Sequence, residues 1–296
     1  MDTETPNPRF TDIDLWEPGD ALEAMIGGQF AAVAAVRAAL PSIQRAVLAL
    51  EVRLKHGHHR LIYAGAGTSG RLAVQDGAEL MPTFGWPRDR LLLFIAGGDE
   101  AMSRAVEGAE DEATQAAHLI QSHKVGEGDC IVAVAASGTT SFTVACLRAA
   151  KVRGALSIGI ANNRGTPLLD EADMAIFLET GAEPIAGSTR MNAGTAQRIT
   201  LTLLSTLLMI RLGRVYRGLM VDVQATNRKL VRRKLAMLTY LTGQPEEIVV
   251  KALACANGDV KSAVLLLKGC DLATARDLLS RTNGHLRAAL DLAQSV

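Results

Sequence analysis

The sequence predicts an α/β fold with a doubly wound, three-layer, parallel five-stranded sheet, flanked by N-terminal helices and followed by a small helical domain. Short, continuous apolar runs alternate with segments of helical periodicity, which is typical of parallel strands covered on both faces. Apolar residues make up 48% of the 296-residue chain, enough for a large core. Beyond residue 242 the chain consists of short helical segments separated by glycine.

The order of these patterns predicts the domains and elements. We predict a loosely ordered, proline-containing arm over residues 1–19, the α/β domain over 20–241 and the helical domain over 242–296. Helical spacing covers residues 20–54, where Pro41 predicts a break between two helices because proline lacks an N–H group. Further helices are predicted over 194–211 and 222–241. The predicted strands are residues 60–65, 91–97, 130–137, 155–162 and 173–178.

Composition limits the partners and the cellular location. Acidic and basic residues balance at 31 each, so no net charge favours nucleic acid or an anionic membrane surface. The polar N-terminus lacks the basic and apolar regions of a signal peptide, and the apolar stretch at 199–212 is too short and polar to span a bilayer. The four cysteines show no metal-ligand spacing. We predict a cytoplasmic protein without a nucleic-acid partner, membrane partner or metal.

The first loop at the predicted ligand edge suits a phosphate. Ligands of such sheets bind at the carboxyl ends of the strands. Residues 64–71 (AGAGTSGR) follow a strand and open a helix, so their N–H groups, the Thr68 and Ser69 hydroxyls and the helix N-terminus favour an anion. The lysine of a Walker loop is missing, and the match to GxGxxG is weak because no acidic residue ends the next strand. The alternative is a tight turn with a serine cap.

Two more hydroxyl clusters are predicted near the same edge. SGTTS at 137–141 follows the third strand, and GSTR at 187–190 precedes a long helix. Each alone would be typical of a helix N-cap. Together with the first loop, they predict a site that encloses one phosphate.

Two carboxylates are candidates for acid–base chemistry. Glu79 follows the first loop on its helix, and its apolar sequence neighbours predict a partly buried carboxyl suited to act as an acid. Glu110 stands among Glu107, Asp111 and Glu112. Such a cluster is typical of a solvated helix face, and spacing alone does not distinguish Glu110 from its neighbours.

Several blocks carry a resemblance to a known family. Residues 62–79 (IYAGAGTSGRLAVQDGAE), 105–111 (AVEGAED), 187–198 (GSTRMNAGTAQR) and 218–227 (GLMVDVQATN) strongly resemble the N-acetylmuramic acid 6-phosphate etherase family of the sugar-isomerase (SIS), flavodoxin-like type. The resemblance extends from about residue 12 to the C-terminus, where the tail is similar to a ubiquitin-associated (UBA)-type helical domain.

The resemblance implies a reaction, a site and an assembly. The family releases D-lactate from its amino sugar 6-phosphate by elimination and hydration, without a cofactor, in cell-wall amino sugar recycling. Glu79 would protonate the leaving lactate oxygen, and Glu110 would be the second catalytic carboxylate, most simply the base at C2. Relatives form homodimers, for which the apolar N-terminal helices and the helix at 194–211 offer surfaces. The implied phosphate- or sugar-binding residues are Gly67, Thr68, Ser69, Ser137, Gly138, Thr139, Thr140, Ser188 and Thr189.

Several positions depart from the family pattern, among them Thr139 in place of an arginine, Ser141 in place of a proline and Asn192 in place of a lysine.

Two other functions are compatible with the same residues. One is a sugar-phosphate-binding regulator resembling the glucokinase regulatory protein, which contains two such domains. The other is an aldose–ketose isomerase of the same fold.

Overall fold

The computed structural model describes residues 1–55, 57–225 and 227–294. They divide into two compact units, the first made of residues 1–77 and 89–205, and the second of residues 78–88 and the chain from Thr206 onward. The domain boundaries at residues 19 and 241 stay a prediction.

The first unit is built on a parallel sheet, as the sequence predicts. In the described part of the chain this sheet has five strands in the order β2-β1-β3-β4-β5. The first strand is paired on both sides, since Leu61 lies opposite Leu91 in one neighbouring strand and opposite Cys130 in the other. The apolar runs predicted each strand correctly, with ends that differ by up to three residues. The strands are β1 (Leu61–Gly65), β2 (Leu91–Ile95), β3 (Cys130–Val134), β4 (Leu156–Ala161) and β5 (Met174–Phe177).

Helices cover both faces of this sheet. On one face, Ile62 and Ile131 belong to a core that includes Phe142 and Leu147. On the opposite face, the ring of Tyr63 packs so close to Gly77 that a Cβ there would lie 3.0 Å from it. The fold is therefore the predicted doubly wound arrangement. The helices that begin in this unit are α1 (Pro18–Leu54), α2 (Gly67–Phe84), α3 (Ala113–Ser122), α4 (Ser141–Val152), α5 (Pro167–Asp170) and α6 (Asn192–Arg211).

The predicted break at Pro41 is wrong, because α1 runs through this proline without interruption. Its buried residues continue at helical spacing on both sides, with Val36 and Ala39 before Pro41 and Ile43 and Val47 after it. Packing of this continuous apolar stripe outweighs the hydrogen bond that proline cannot donate.

The N-terminal arm is also more ordered than predicted. It contains 3-10 turns at Asp2–Glu4, Pro8–Phe10 and Ile13–Leu15. Thr3 is fully buried and bonded to Asn163, a residue 160 positions away in the sequence. Composition could not reveal this contact because it is non-local.

The second unit is mainly helical and contains a short hairpin after the end of α6. Strands β6 (Val215–Tyr216) and β7 (Leu219–Met220) pair across a turn at Arg217 and Gly218, which both have positive φ. The helix predicted from residue 222 begins only at Arg228, because the Asn227 side chain caps it by accepting from the Leu230 N–H. Glycine-containing turns separate the helices, as predicted. These are α7 (Arg228–Thr242), α8 (Glu246–Cys255), α9 (Val260–Leu267), α10 (Leu272–Arg281) and α11 (Leu286–Ala293).

By length and composition alone, α1 is long and apolar enough to cross a membrane, and no other helix in the described part of the chain is. Its most apolar window is 39% buried within the protein. Core helices of soluble proteins share these properties, so this is weak evidence.

Candidate active site

A cleft of about 410 Å³ in the first unit lies at the carboxyl ends of β1 and β3. These neighbouring strands are where the strand order reverses, since β1 leads outward to β2 and β3 leads to β4. Parallel sheets bind ligands at this switch point, because the loops on either side diverge and leave a crevice. The cleft is lined by Glu4, Ala66, Gly67, Thr68, Ser69, Glu110, Asp111, Ser137, Thr139, Thr140, Ser141 and Thr189.

The turn after β1 brings the start of α2 to the cleft. Gly65 and Gly70 approach so closely that a Cβ on Gly65 would lie 2.9 Å from the Gly70 backbone. Gly67 has a φ of 52°, which favours glycine. Thr68 and Ser69 therefore lie in the first turn of a long helix, where free N–H groups and the helix dipole favour an anion. The loop is therefore both a tight strand-to-helix turn and a suitable place for an anion, so the two interpretations of this segment are compatible.

The loop after β3 supplies a second set of hydroxyls. The Ser137 Oγ lies 3.2 Å from the Thr140 Oγ1 and accepts a hydrogen bond from the Thr139 N–H. Gly138 has a φ of 73° and its N–H donates to Ala135, so it shapes the turn but does not line the cleft. The N-terminus of α4 follows at Ser141. Two helix N-termini thus meet in one cleft.

Glu110 reaches this cleft from a 3-10 turn, Ala109–Asp111. Ala109 is buried in the core of the first unit and holds the turn in place, while the Glu110 side chain is exposed. Gly108, with a φ of 71°, begins the turn. The structure therefore separates Glu110 and Asp111 from Glu107 and Glu112, which do not line the cleft. Sequence spacing could not make this distinction.

The loop before α6 contributes Thr189, and a buried carboxylate fixes its far end. Glu183 is fully buried and accepts hydrogen bonds from the Asn192 and Ala193 N–H groups at 2.8 and 2.9 Å. Burial raises the pKa of Glu183, although both hydrogen bonds favour the ionised form. Asn192, one of the departures from the family pattern, has a structural contact because its Oδ1 accepts from Gln29. Ser188 is not among the cleft residues.

Glu79 lies on α2 in the second unit, whereas the cleft is formed within the first. Its side chain is exposed, so the predicted partial burial is wrong. The reason is helical geometry: the next residue, Leu80, and Phe84 four residues further both point into the core and are buried, which turns Glu79 outward. Its catalytic role stays a prediction.

The charge of the cleft comes from carboxylates. Glu4, Glu110 and Asp111 line it, and its described lining residues include no lysine or arginine. Attraction for a phosphate must then come from hydroxyls, backbone N–H groups and the N-termini of α2 and α4. Among the described residues, no group of three or more His, Cys, Asp or Glu side chains is placed to hold a metal ion.

A buried polar network supports the segment of α2 that leaves the cleft. Asp76 accepts hydrogen bonds from the Tyr63 hydroxyl at 3.0 Å and from Ser205 at 3.3 Å, and forms an ion pair with Arg198 at 3.7 Å. Burial raises the pKa of Asp76 and, more strongly, that of Tyr63. These contacts tie α2 and α6 to β1, an interior strand of the sheet.

Sequence reasoning did not name four of the residues that line the cleft: Glu4, Ala66, Asp111 and Ser141. Ser141 lies in the predicted hydroxyl loop and Asp111 is adjacent to Glu110, so both had a local signal. Glu4 had none, because its position depends on contacts with distant residues.

Comparisons with known proteins agree with this architecture. Residues 42–151 match the glucokinase regulatory protein N-terminal SIS domain, and residues 110–211 match the SIS domain. The fold is similar to that of a putative phosphosugar isomerase from Bacteroides fragilis, with a TM-score of 0.50, 20% identity, and coverage of 67% of this chain and 94% of that one. Fold and site together define a SIS-domain protein.

Relatives identify the family more closely. The N-acetylmuramic acid 6-phosphate etherase of Deinococcus radiodurans is 44% identical over 97% of this chain and 94% of its own length. The protein of the same name from Shouchella clausii is 40% identical over 98% of each chain. The chain belongs to the N-acetylmuramic acid 6-phosphate etherase family.

Proposed function

We propose that this protein is a carbon–oxygen lyase that converts N-acetylmuramic acid 6-phosphate and water into N-acetylglucosamine 6-phosphate and D-lactate. The observation that carries this proposal is the cleft at the switch point of the sheet, where hydroxyl-bearing helix N-termini and the Glu110 carboxylate face one space. Relatives with the etherase name match this chain along almost its whole length.

The residues of the cleft suit a phosphorylated sugar. Thr68, Ser69, Thr139 and Thr140 offer hydroxyl donors, and the N–H groups that begin α2 and α4 add a favourable dipole for the phosphate. The family arginine at position 139 is a threonine here, so one charge-assisted contact, typically about 1.5–3 kcal/mol, is replaced by a neutral one.

The proposed reaction needs one base and one acid. Opening of the sugar ring gives an aldehyde, which acidifies the proton at C2. Glu110 takes this proton, the C3–oxygen bond breaks, and Glu79 protonates the departing lactate oxygen. Water then adds to the double bond at C3. Positioned carboxyl groups contribute about 100-fold to 10,000-fold to proton transfers of this kind.

The reaction is tested by D-lactate release from N-acetylmuramic acid 6-phosphate without an added cofactor. In ¹⁸O-labelled water the label should enter the sugar at C3 and not the hydroxyl of lactate, because the bond that breaks lies between C3 and the ether oxygen. Label in the lactate hydroxyl, or no release of lactate, would contradict the proposal.

A regulator is the second candidate, favoured by the match to the glucokinase regulatory protein domain. It predicts that sugar 6-phosphates raise the melting temperature while no product forms. An isomerase would interconvert an aldose and a ketose phosphate without releasing acid. The same incubation, analysed for lactate and for both sugar phosphates, separates all three functions.

We also propose that the protein is a cytoplasmic homodimer in which α1 contributes to the interface. Large apolar side chains recur along its exposed side, including Leu22 at 64%, Phe30 at 71% and Val33 at 52% exposure. Contiguous exposed apolar surface of this kind is typical of interaction sites.

A further inference from the structure

We propose that the N-terminal segment is part of the substrate site, with Glu4 as a specificity residue that binds the sugar and Thr3 as the residue that positions it. The inference rests on the proposed function only for the identity of the ligand. It comes from the hydrogen bonds that hold Thr3 and Glu4 beside the cleft.

Thr3 is held by hydrogen bonds from two distant parts of the first unit. Its side chain is fully buried, and its Oγ1 accepts from the Asn163 Nδ2 at 3.0 Å. The Thr3 N–H donates to Asn163 Oδ1 at 3.4 Å, and the Thr3 carbonyl accepts from the Gly187 N–H at 3.0 Å. These contacts give the segment a fixed place in the first unit.

Asn163 itself is fixed to the sheet. It is buried, and its Nδ2 also donates to the Ala136 carbonyl just beyond β3, at 2.9 Å. Ala136 directly precedes Ser137, the first hydroxyl of the cleft loop. The anchor of Thr3 is therefore part of the same strand end that forms the site.

The anchor places Glu4 in the wall of the cleft. Its carboxylate lies so close to the loop before α6 that a Cβ added at Gly187 would be 2.9 Å from Glu4 Oε2. Gly187 has a φ of 75° and carries no side chain, so it leaves this space to Glu4. Thr189, two residues further, also lines the cleft.

The charge of Glu4 determines which part of a ligand it can bind. A carboxylate repels a phosphate dianion, whereas it accepts strong hydrogen bonds from hydroxyl or amide N–H donors. An amino sugar phosphate offers such donors on its ring carbons and its acetamido group. Glu4 therefore selects the orientation in which the phosphate contacts the hydroxyl loops and the sugar donors face the N-terminal segment.

The test compares Glu4→Gln with Asp2→Asn, which removes the same charge from an exposed side chain outside the cleft. The ligands are N-acetylglucosamine 6-phosphate, measured by calorimetry, and inorganic phosphate, measured by competition. Glu4→Gln should weaken binding of the sugar phosphate about tenfold and should not weaken binding of inorganic phosphate, which has no sugar donors. Asp2→Asn should bind both as the wild type does.

The anchor is tested by Thr3→Val, which keeps the shape of the side chain but removes the acceptor for Asn163. It should raise KM for N-acetylmuramic acid 6-phosphate with little change in kcat, and Thr3→Ser should restore KM.

Equal sugar phosphate affinity in Glu4→Gln and wild type would overturn the inference. So would an equal loss for inorganic phosphate, because the variant would then have damaged the whole site. A wild-type protein that binds the sugar phosphate but releases no lactate would contradict the proposed reaction, while the binding comparison at Glu4 would still decide the inference.

Discussion

At the scale of single residues, the site depends on exposed side chains whose preceding neighbours in the sequence are buried. Ala109 is in the core while Glu110, the next residue, faces the cleft. Thr3 is fully buried while Glu4, again the next residue, lines the same cleft. Adjacent side chains in a tight turn point in different directions, so one can fix the backbone while the other stays available to a ligand.

Asp76 gives a prediction about pH. Burial raises its pKa above the ordinary value, so the folded chain binds this proton more tightly than the unfolded chain does. The free energy of unfolding should therefore fall as the pH rises from about 4, the ordinary aspartate pKa, toward the raised value. Asp76→Asn should remove this part of the pH dependence, because it keeps an acceptor oxygen but cannot ionise. Denaturant titrations across this pH range measure the effect.

Asp2→Asn is the control for the substitution itself, because it makes the same change at an exposed aspartate in the same unit. An Asp76→Asn protein whose unfolding free energy falls with pH as steeply as that of the wild type would contradict this account.

At the scale of elements, the strand ends and helix starts determine where chemistry takes place. The loops after β1 and β3 each pass from a buried strand to a helix N-terminus within seven residues or fewer, counted from Gly65 to Gly67 and from Val134 to Ser141. Short loops leave the hydroxyls little freedom, which reduces the entropy lost on binding.

Pro41 allows a test of helix α1. The proline is exposed, so its replacement by alanine leaves no cavity, and the new N–H can donate to Arg37. Since proline costs up to about 3 kcal/mol in a helix interior, Pro41→Ala should raise the free energy of unfolding by about 1–3 kcal/mol. Thermal and chemical denaturation measure this change. A less stable variant would show that the proline is needed for the path of the helix.

The predictable part of the fold was the part with local patterns. Continuous apolar runs located β1 and β3, because a parallel strand that is buried on both faces needs apolar residues along its whole length. The hydroxyl loops could then be located directly after the strand ends. The continuous course of α1 through Pro41 could not be predicted, since tertiary packing decided it. The delayed start of α7 at Arg228 depended on a single cap at Asn227.

The site was predictable to a similar degree. Eight of the residues named from the sequence line one cleft, and their roles in binding and catalysis stay predictions: Gly67, Thr68, Ser69, Glu110, Ser137, Thr139, Thr140 and Thr189. The position of Glu4 could not be predicted because it depends on hydrogen bonds across 160 residues. The exposure of Glu79 could have been predicted from helical geometry, since Leu80 was the apolar neighbour that required burial.

At the scale of the whole molecule, assembly gives a prediction. If α1 forms part of a dimer interface, Phe30→Glu should convert a dimer into a monomer, because the interface would have to bury a charge. Val152→Glu is the matched control, since Val152 is 88% exposed on α4. Sedimentation velocity measures the mass of both. A wild-type monomer, or a dimeric Phe30→Glu protein, would contradict the proposed role of α1.

The account as a whole depends on Glu110 and the hydroxyl cleft acting on one substrate. The most direct test is the rate of D-lactate release from N-acetylmuramic acid 6-phosphate by the wild type, Glu110→Gln and Glu107→Gln, the last being an exposed acid of the same cluster outside the cleft. We predict that Glu110→Gln lowers kcat at least about 100-fold, while Glu107→Gln retains the wild-type rate. Unchanged lactate release by Glu110→Gln would contradict the central claim.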